Sequence, residues 1–142
     1  MSDYLEIKQA IVNLLRGIAL IKEVYSFETA HNEGYPYAVL SKFNVVSNWI
    51  DRETNEREWR FTAKIYQEMI ADSSGAENAE SKIDEIVGVI FEMFDRDWTL
   101  GGVADLCKVD GGNAWEDRQT MTRVLELNIS VKKVFNMRQT YD

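Results

Sequence analysis

Ile83, Ile86, Val87, Ile90, Phe91 and Phe94 recur at i, i+3, i+4, i+7, i+8 and i+11. That spacing confines the segment to an α-helix with one apolar stripe. A helix that is apolar on one side only has to bury that side against another element. The rest of the chain must therefore supply an apolar surface, and most of it reads as strand. Trp59, Phe61, Ala63 and Ile65 alternate with Arg60, Thr62, Lys64 and Tyr66, and Leu125, Leu127, Ile129 and Val131 alternate with Glu126, Asn128, Ser130 and Lys132. Alternation of this kind describes a sheet with one buried and one wet face.

A second amphipathic helix opens the chain. Tyr4, Ile7, Ile11, Leu14, Leu15 and Ile18 share a helical face, and Gly17 marks its end. Asp3 and Glu6 have the spacing of a capping box, with Ser2 as the competing cap; Ser74 and Glu77 offer the same device to the later helix. Residues 19–27 turn strand-like, 29–36 read as a loop, and 37–46 read as a strand. The polar run from Trp49 to Glu58 is a wide hairpin tip or a mobile arm. Val103 to Val109 reads as another strand, with Gly101-Gly102 as a turn before it and Asp110-Gly111-Gly112-Asn113 as a loop tip or hairpin connection after it. The expected fold is α+β, in the order α-β-β-β-α-β-β. Both helices cover one face of a mainly antiparallel sheet, in one domain over 1–135 with a loose tail over 136–142.

Composition narrows the function classes. The chain has 142 residues and a net charge of −8, which disfavours non-specific nucleic-acid binding. No apolar run is long enough to span a bilayer, and no secretory signal opens the chain. The expected setting is the reducing cytoplasm, or an assembly built there. The lone Cys107 lies in an alternating apolar segment and reads as a small buried hydrophobe, and the lone His31 reads as a surface loop residue. No metal-ligand spacing, phosphate-binding glycine loop or nucleophile elbow is present. The expectation is no catalytic residue, no metal and no cofactor.

The remaining features point to surfaces. Eight acids lie in residues 72–97 against Lys82 and Arg96, whereas Arg118, Arg123, Lys132, Lys133 and Arg138 dominate 118–142. An acidic face and a basic end suit head-to-tail contact between copies. Candidate contact residues are Asp51, Arg52, Glu53, Glu56 and Arg57 of the polar run, Trp98 and Trp115 beside the glycine pairs, and the cations Arg118, Lys132, Lys133 and Arg138. Trp59 reads as core.

The order of these segments carries a family resemblance. Gly34-Tyr35-Pro36-Tyr37-Ala38-Val39 follows the first helix and Ile21-Lys22-Glu23-Val24-Tyr25. Arg60 to Glu68 comes next, then the helix ending at Phe94-Asp95, then Trp98-Thr99-Leu100-Gly101-Gly102, and last the strand Arg123 to Val131. Over about residues 4–135 this resembles the tail terminator (tail completion) proteins of long-tailed bacteriophages. The resemblance implies a virion protein of the head-tail junction. It would form a hexameric ring on the head-proximal end of the tail tube, stop tube growth and present a docking surface to the head connector. DNA would pass through that ring without specific contact. It carries no individual contact residue over. Other neck proteins (a stopper or an adaptor) and the tube protein itself share the same expectations. A small ligand-binding or enzymatic α+β domain is the reading from another class, and it requires a pocket with converging polar groups.

Overall fold

The computed structural model describes residues 3–26, 34–69 and 75–136, with the side chains of Asp3, Lys42, Phe43 and 75–77 left aside. The elements are α1 (Asp3–Arg16), β1 (Glu23–Tyr25), β2 (Tyr37–Trp49), β3 (Thr54–Glu68), α2 (Gly75–Arg96), β4 (Leu106–Asp117) and β5 (Thr122–Asn136). The fold is α+β in the expected element order.

The strands form one five-stranded sheet in the order β1-β2-β3-β5-β4. Only β1 and β2 run parallel; the other neighbours are antiparallel. Along β3, Trp59, Phe61, Ala63 and Ile65 face Val131, Ile129, Leu127 and Leu125 of β5, and all eight are buried. Both helices lay their stripes on this side. Ile7, Ile11 and Leu15 of α1 and Ile83, Ile86, Ile90 and Phe94 of α2 join the same cluster, and the Tyr4 ring stacks on Phe61. Burying each such side chain contributes about 1.5–3 kcal/mol, so the helices are held by this stripe far more than by local propensity.

α2 starts near one end of the sheet and finishes at the other. Glu80 approaches Arg123 at 4.0 Å near the beginning of β5. At the far end, the Trp98 carbonyl accepts a hydrogen bond from the Cys107 N–H. Between them, Asp97 Oδ1 accepts from the Gly101 N–H at 2.8 Å, and Leu100, Gly101 and Gly102 all take positive φ.

Several local expectations change. Within 19–27 the strand is only Glu23–Tyr25; residues 27–33, including His31 and most of the expected loop, lie outside the described residues. Both capping boxes also rest on residues or side chains outside them. The glycines at 111–112 are not a hairpin connection: they lie inside β4, at a bulge between Val109 and Gly111. Gly111 has φ +120°, and a Cβ on Gly112 would lie 1.7 Å from the Glu126 carbonyl oxygen. The glycine pair therefore serves a close strand approach rather than a reversal. The β4–β5 turn comes later, where Asp117 Oδ1 accepts from the Gln119 and Thr120 N–H groups. β5 runs to Asn136, paired with Thr54, and the rest of the expected tail (137–142, including Arg138) lies outside the described residues.

Candidate interaction surface

The helices cover one face of the sheet and leave the other open. On the open face the registers place Glu23, Glu56, Glu58, Glu68 and Glu126 with Arg60, Lys64, Lys108 and Lys132, and the bulged Asp110 joins them. Opposite charges alternate: Arg60 meets Glu58 at 2.6 Å and Lys108 meets Asp110 at 3.3 Å. The hydrogen bond from Arg60 holds the Glu58 carboxyl below its usual range, against the opposing effect of partial burial. A shallow cavity of about 390 Å³ lies here, lined by Arg60, Thr62, Asp110, Glu126, Asn128 and Ile129. Acids outnumber bases, so this face has no basic stripe with which to grip a polyanion.

The polar run from Trp49 to Glu58 is the tip of a long β-hairpin. β2 continues to Trp49, β3 resumes at Thr54, and β5 follows both to Asn136, giving a three-stranded arm. The turn is held by Asp51, whose Oδ1 accepts from the Glu53 and Thr54 N–H groups; these bonds lower its pKa. From Trp59 to Thr54 the arm runs on for about 17 Å at strand rise.

A bulge between Lys42 and Asn44 inverts the alternation of β2. Before it, Ala38 and Leu40 point to the helix side; after it, Val45, Ser47 and Trp49 do, opposite Trp59, Arg57 and Asn55. The helices do not reach these residues: Val45 is 44% exposed and Trp49 61%. Phe135 supports this underside, edge-on to Trp59, with the Arg57 guanidinium 4.5 Å and the Lys133 ammonium 5.5 Å from its centroid. Asn55 is buried and exchanges hydrogen bonds with Ser47. The arm thus has an apolar underside carrying two cations, topped by Trp49 and Ile50.

The predicted contact residues separate into distinct places. Asp51, Arg52 and Glu53 form the arm tip, Glu56 and Lys132 lie on the open face of the arm, and Arg57 and Lys133 lie on its underside. Trp98 is 53% exposed in the turn after α2, near the arm end of the sheet. Trp115 and Arg118 belong to the opposite end. The basic stretch is therefore not one patch, because Thr122 and Lys132 are about 34 Å apart along an extended strand. Arg123 is occupied by Glu80 and Glu116. Asp84, Glu85, Glu92 and Asp95 do share the exposed side of α2, as the acidic stretch suggests. Val45, Ile50 and Phe135 went unread as contact residues, although two large apolar residues beside a turn, Trp49 and Ile50, signal a tip that is not simply solvated.

Both sides of the sheet also end in unpaired strand among the described residues. β1 covers β2 only from Tyr37 to Val39, leaving the outer edge of β2 beyond it open. At the other side, β4 has no outer strand neighbour. Each edge carries a bulge and charged side chains, which limit indiscriminate strand addition. Among the described residues no group of three or more His, Cys, Asp or Glu side chains stands in metal-binding proximity, and no helix is long and apolar enough to cross a membrane. Burial, with Asp97 and Asp110 nearby, pushes the Cys107 thiol up to about 12.

No family model and no curated protein matches the sequence. The fold is similar to that of a chain in the virion of a native gene transfer agent particle. The TM-score is 0.58 at 14% identity, with 89% of this chain and 92% of that chain covered. At that identity the likeness is one of fold.

Proposed function

We propose that this protein is a structural subunit of a phage-type tail: a tail terminator whose hexameric ring caps the head-proximal end of the tail tube. The ring stops addition of tube subunits and offers its other side to the head connector, and it carries no catalytic activity. The observation that carries this reading is the pair of edges left open among the described residues, β4 on one side of the sheet and β2 beyond Val39 on the other. Two different, complementary edges on opposite sides make a heterologous contact, which closes into a ring when the rotation permits. Strand directions favour it. β2 and β4 run in opposite senses within the sheet, so copies related by rotation alone pair antiparallel at the seam. The acid-leaning open face suits a conduit that lets DNA slide. The likeness in fold to a virion chain supports the coarser reading, a phage-type structural protein, and the resemblance in segment order supports the terminator.

Tail length tests it. Tubes assembled without this protein become overlong, and adding it back restores a uniform length. Tails of normal length beside heads that leak DNA would overturn the terminator reading in favour of a stopper.

A further inference from the structure

The ring places a second copy beside the exposed arm, and the sheet register says what that copy presents there. Leu106 at the start of β4 pairs with Lys132, which pairs with Glu58, which pairs with Val46. When β2 of one copy lies alongside β4 of the next without vertical offset, the start of β4 therefore falls at the height of Val46, and the pairing is confined to Leu40–Val46 against Leu106–Gly112 because β1 holds the β2 edge from Tyr37 to Val39. The arm of the first copy then rises past that point, with its underside turned to the side of the sheet that carries the helices. On the neighbour, that side and that height hold the last turn of α2 and the turn after it, including exposed Asp95 and the half-exposed Trp98. Trp98 is fixed at this level because its carbonyl accepts from the Cys107 N–H.

The two surfaces match in chemistry. The arm underside offers Val45, Trp49 and the Arg57 guanidinium over Phe135, with no acid among its described side chains. The end of α2 offers Trp98 beside Asp95, on a helix whose exposed side is dominated by carboxylates. Arg96 already pairs with Glu92 in this last turn, which leaves the Asp95 carboxylate, lying against the negative end of the helix dipole, for an incoming guanidinium. Two large exposed aromatics, one on each surface, supply the anchors that interface cores favour. We infer that the β2–β3 arm of each subunit docks on a second copy of this chain, its Arg57–Trp49 underside seated on the Asp95–Trp98 end of the neighbour's α2. The inference rests on the ring reading above and adds a clasp to it: edge pairing sets the neighbours side by side, and the arm locks them.

Sedimentation of the full chain and of charge variants tests it, with thermal melts to show that each variant folds. The wild type associates; Arg57→Glu and Asp95→Arg each weaken association tenfold or more; and the double variant recovers most of the loss. Trp49→Ala and Trp98→Ala weaken association similarly, with melting temperatures near the wild type. If the wild type forms rings and these substitutions leave them intact, or if the double variant fails to recover, the clasp is overturned while the ring stands. If the wild type stays monomeric at about 1 mM, the ring reading itself fails, and the clasp with it.

Discussion

Replacing Gly112 with alanine should destabilise the fold strongly, although the residue is exposed. The added Cβ would lie 1.7 Å from the Glu126 carbonyl oxygen, 2.7 Å from its carbon and 2.9 Å from the Leu127 Cα. All three atoms belong to the backbone of β5, where no rotamer change can make room. The β4–β5 ladder must open locally, next to buried Leu125 and Leu127. Overpacking of a core by one methylene costs about 1–3 kcal/mol; here rigid backbone puts the expected loss at the upper end, about 3 kcal/mol. For a chain of this size each kcal/mol moves Tm by about 3 °C, so Gly112→Ala should melt about 9 °C lower. Gly88 is the internal control. It sits mid-helix in α2 with nothing within 4 Å of an added Cβ. Gly88→Ala should stabilise by about 0.5–1 kcal/mol through helix propensity alone. Thermal melts of the two variants by circular dichroism decide the matter. A Gly112→Ala variant melting within 2 °C of the wild type, by the ~3 °C scale above, would refute the argument that close approach at the bulge requires glycine.

Other outcomes follow from the same structure. Phe94, fully buried at the end of the α2 stripe, should cost about 3–5 kcal/mol on Phe94→Ala, read by urea denaturation. Cys107 should resist alkylation at pH 8 in the folded protein and react once unfolded. Its raised pKa means that the fold favours the thiol, so stability is intact below 9.0 and falls as pH climbs towards about 12. Glu58 has the opposite sign. Its lowered pKa contributes stability above the ordinary value of 4.5 that is lost as pH falls further, and Glu58→Gln should flatten that acid limb of the Tm profile.

The parts of the fold that were legible in the sequence are those with an uninterrupted period. The α2 stripe and the alternation of β3 and β5 lead directly to the buried residues, because each element keeps one face on the core throughout. β2 and β4 are obscured by bulges. The bulge between Lys42 and Asn44 inverts the alternation, so Val45 and Trp49 do not read as one face with Leu40. The one at Val109–Gly111 puts into a strand the glycines that elsewhere announce a turn. The candidate surface was harder to read because charges adjacent in sequence separate in space. A 15-residue strand carries Arg123 to one end of the sheet and Lys132 to the other, whereas the helical acids stay together. The exposure of Trp98 was legible from its place beside a glycine turn. The underside of the arm was not, because a bulge shifts the alternation of β2 and the hairpin meets Lys133 and Phe135 of β5, a strand distant in the chain.

Native mass spectrometry of the purified protein, paired with negative-stain images, bears most directly on whether the two open edges join copies head to tail. A closed species at six times 16.4 kDa, seen as annular particles, is the expected result. A two-fold dimer that buries β4 against β4, or a monomer at every concentration, would contradict it.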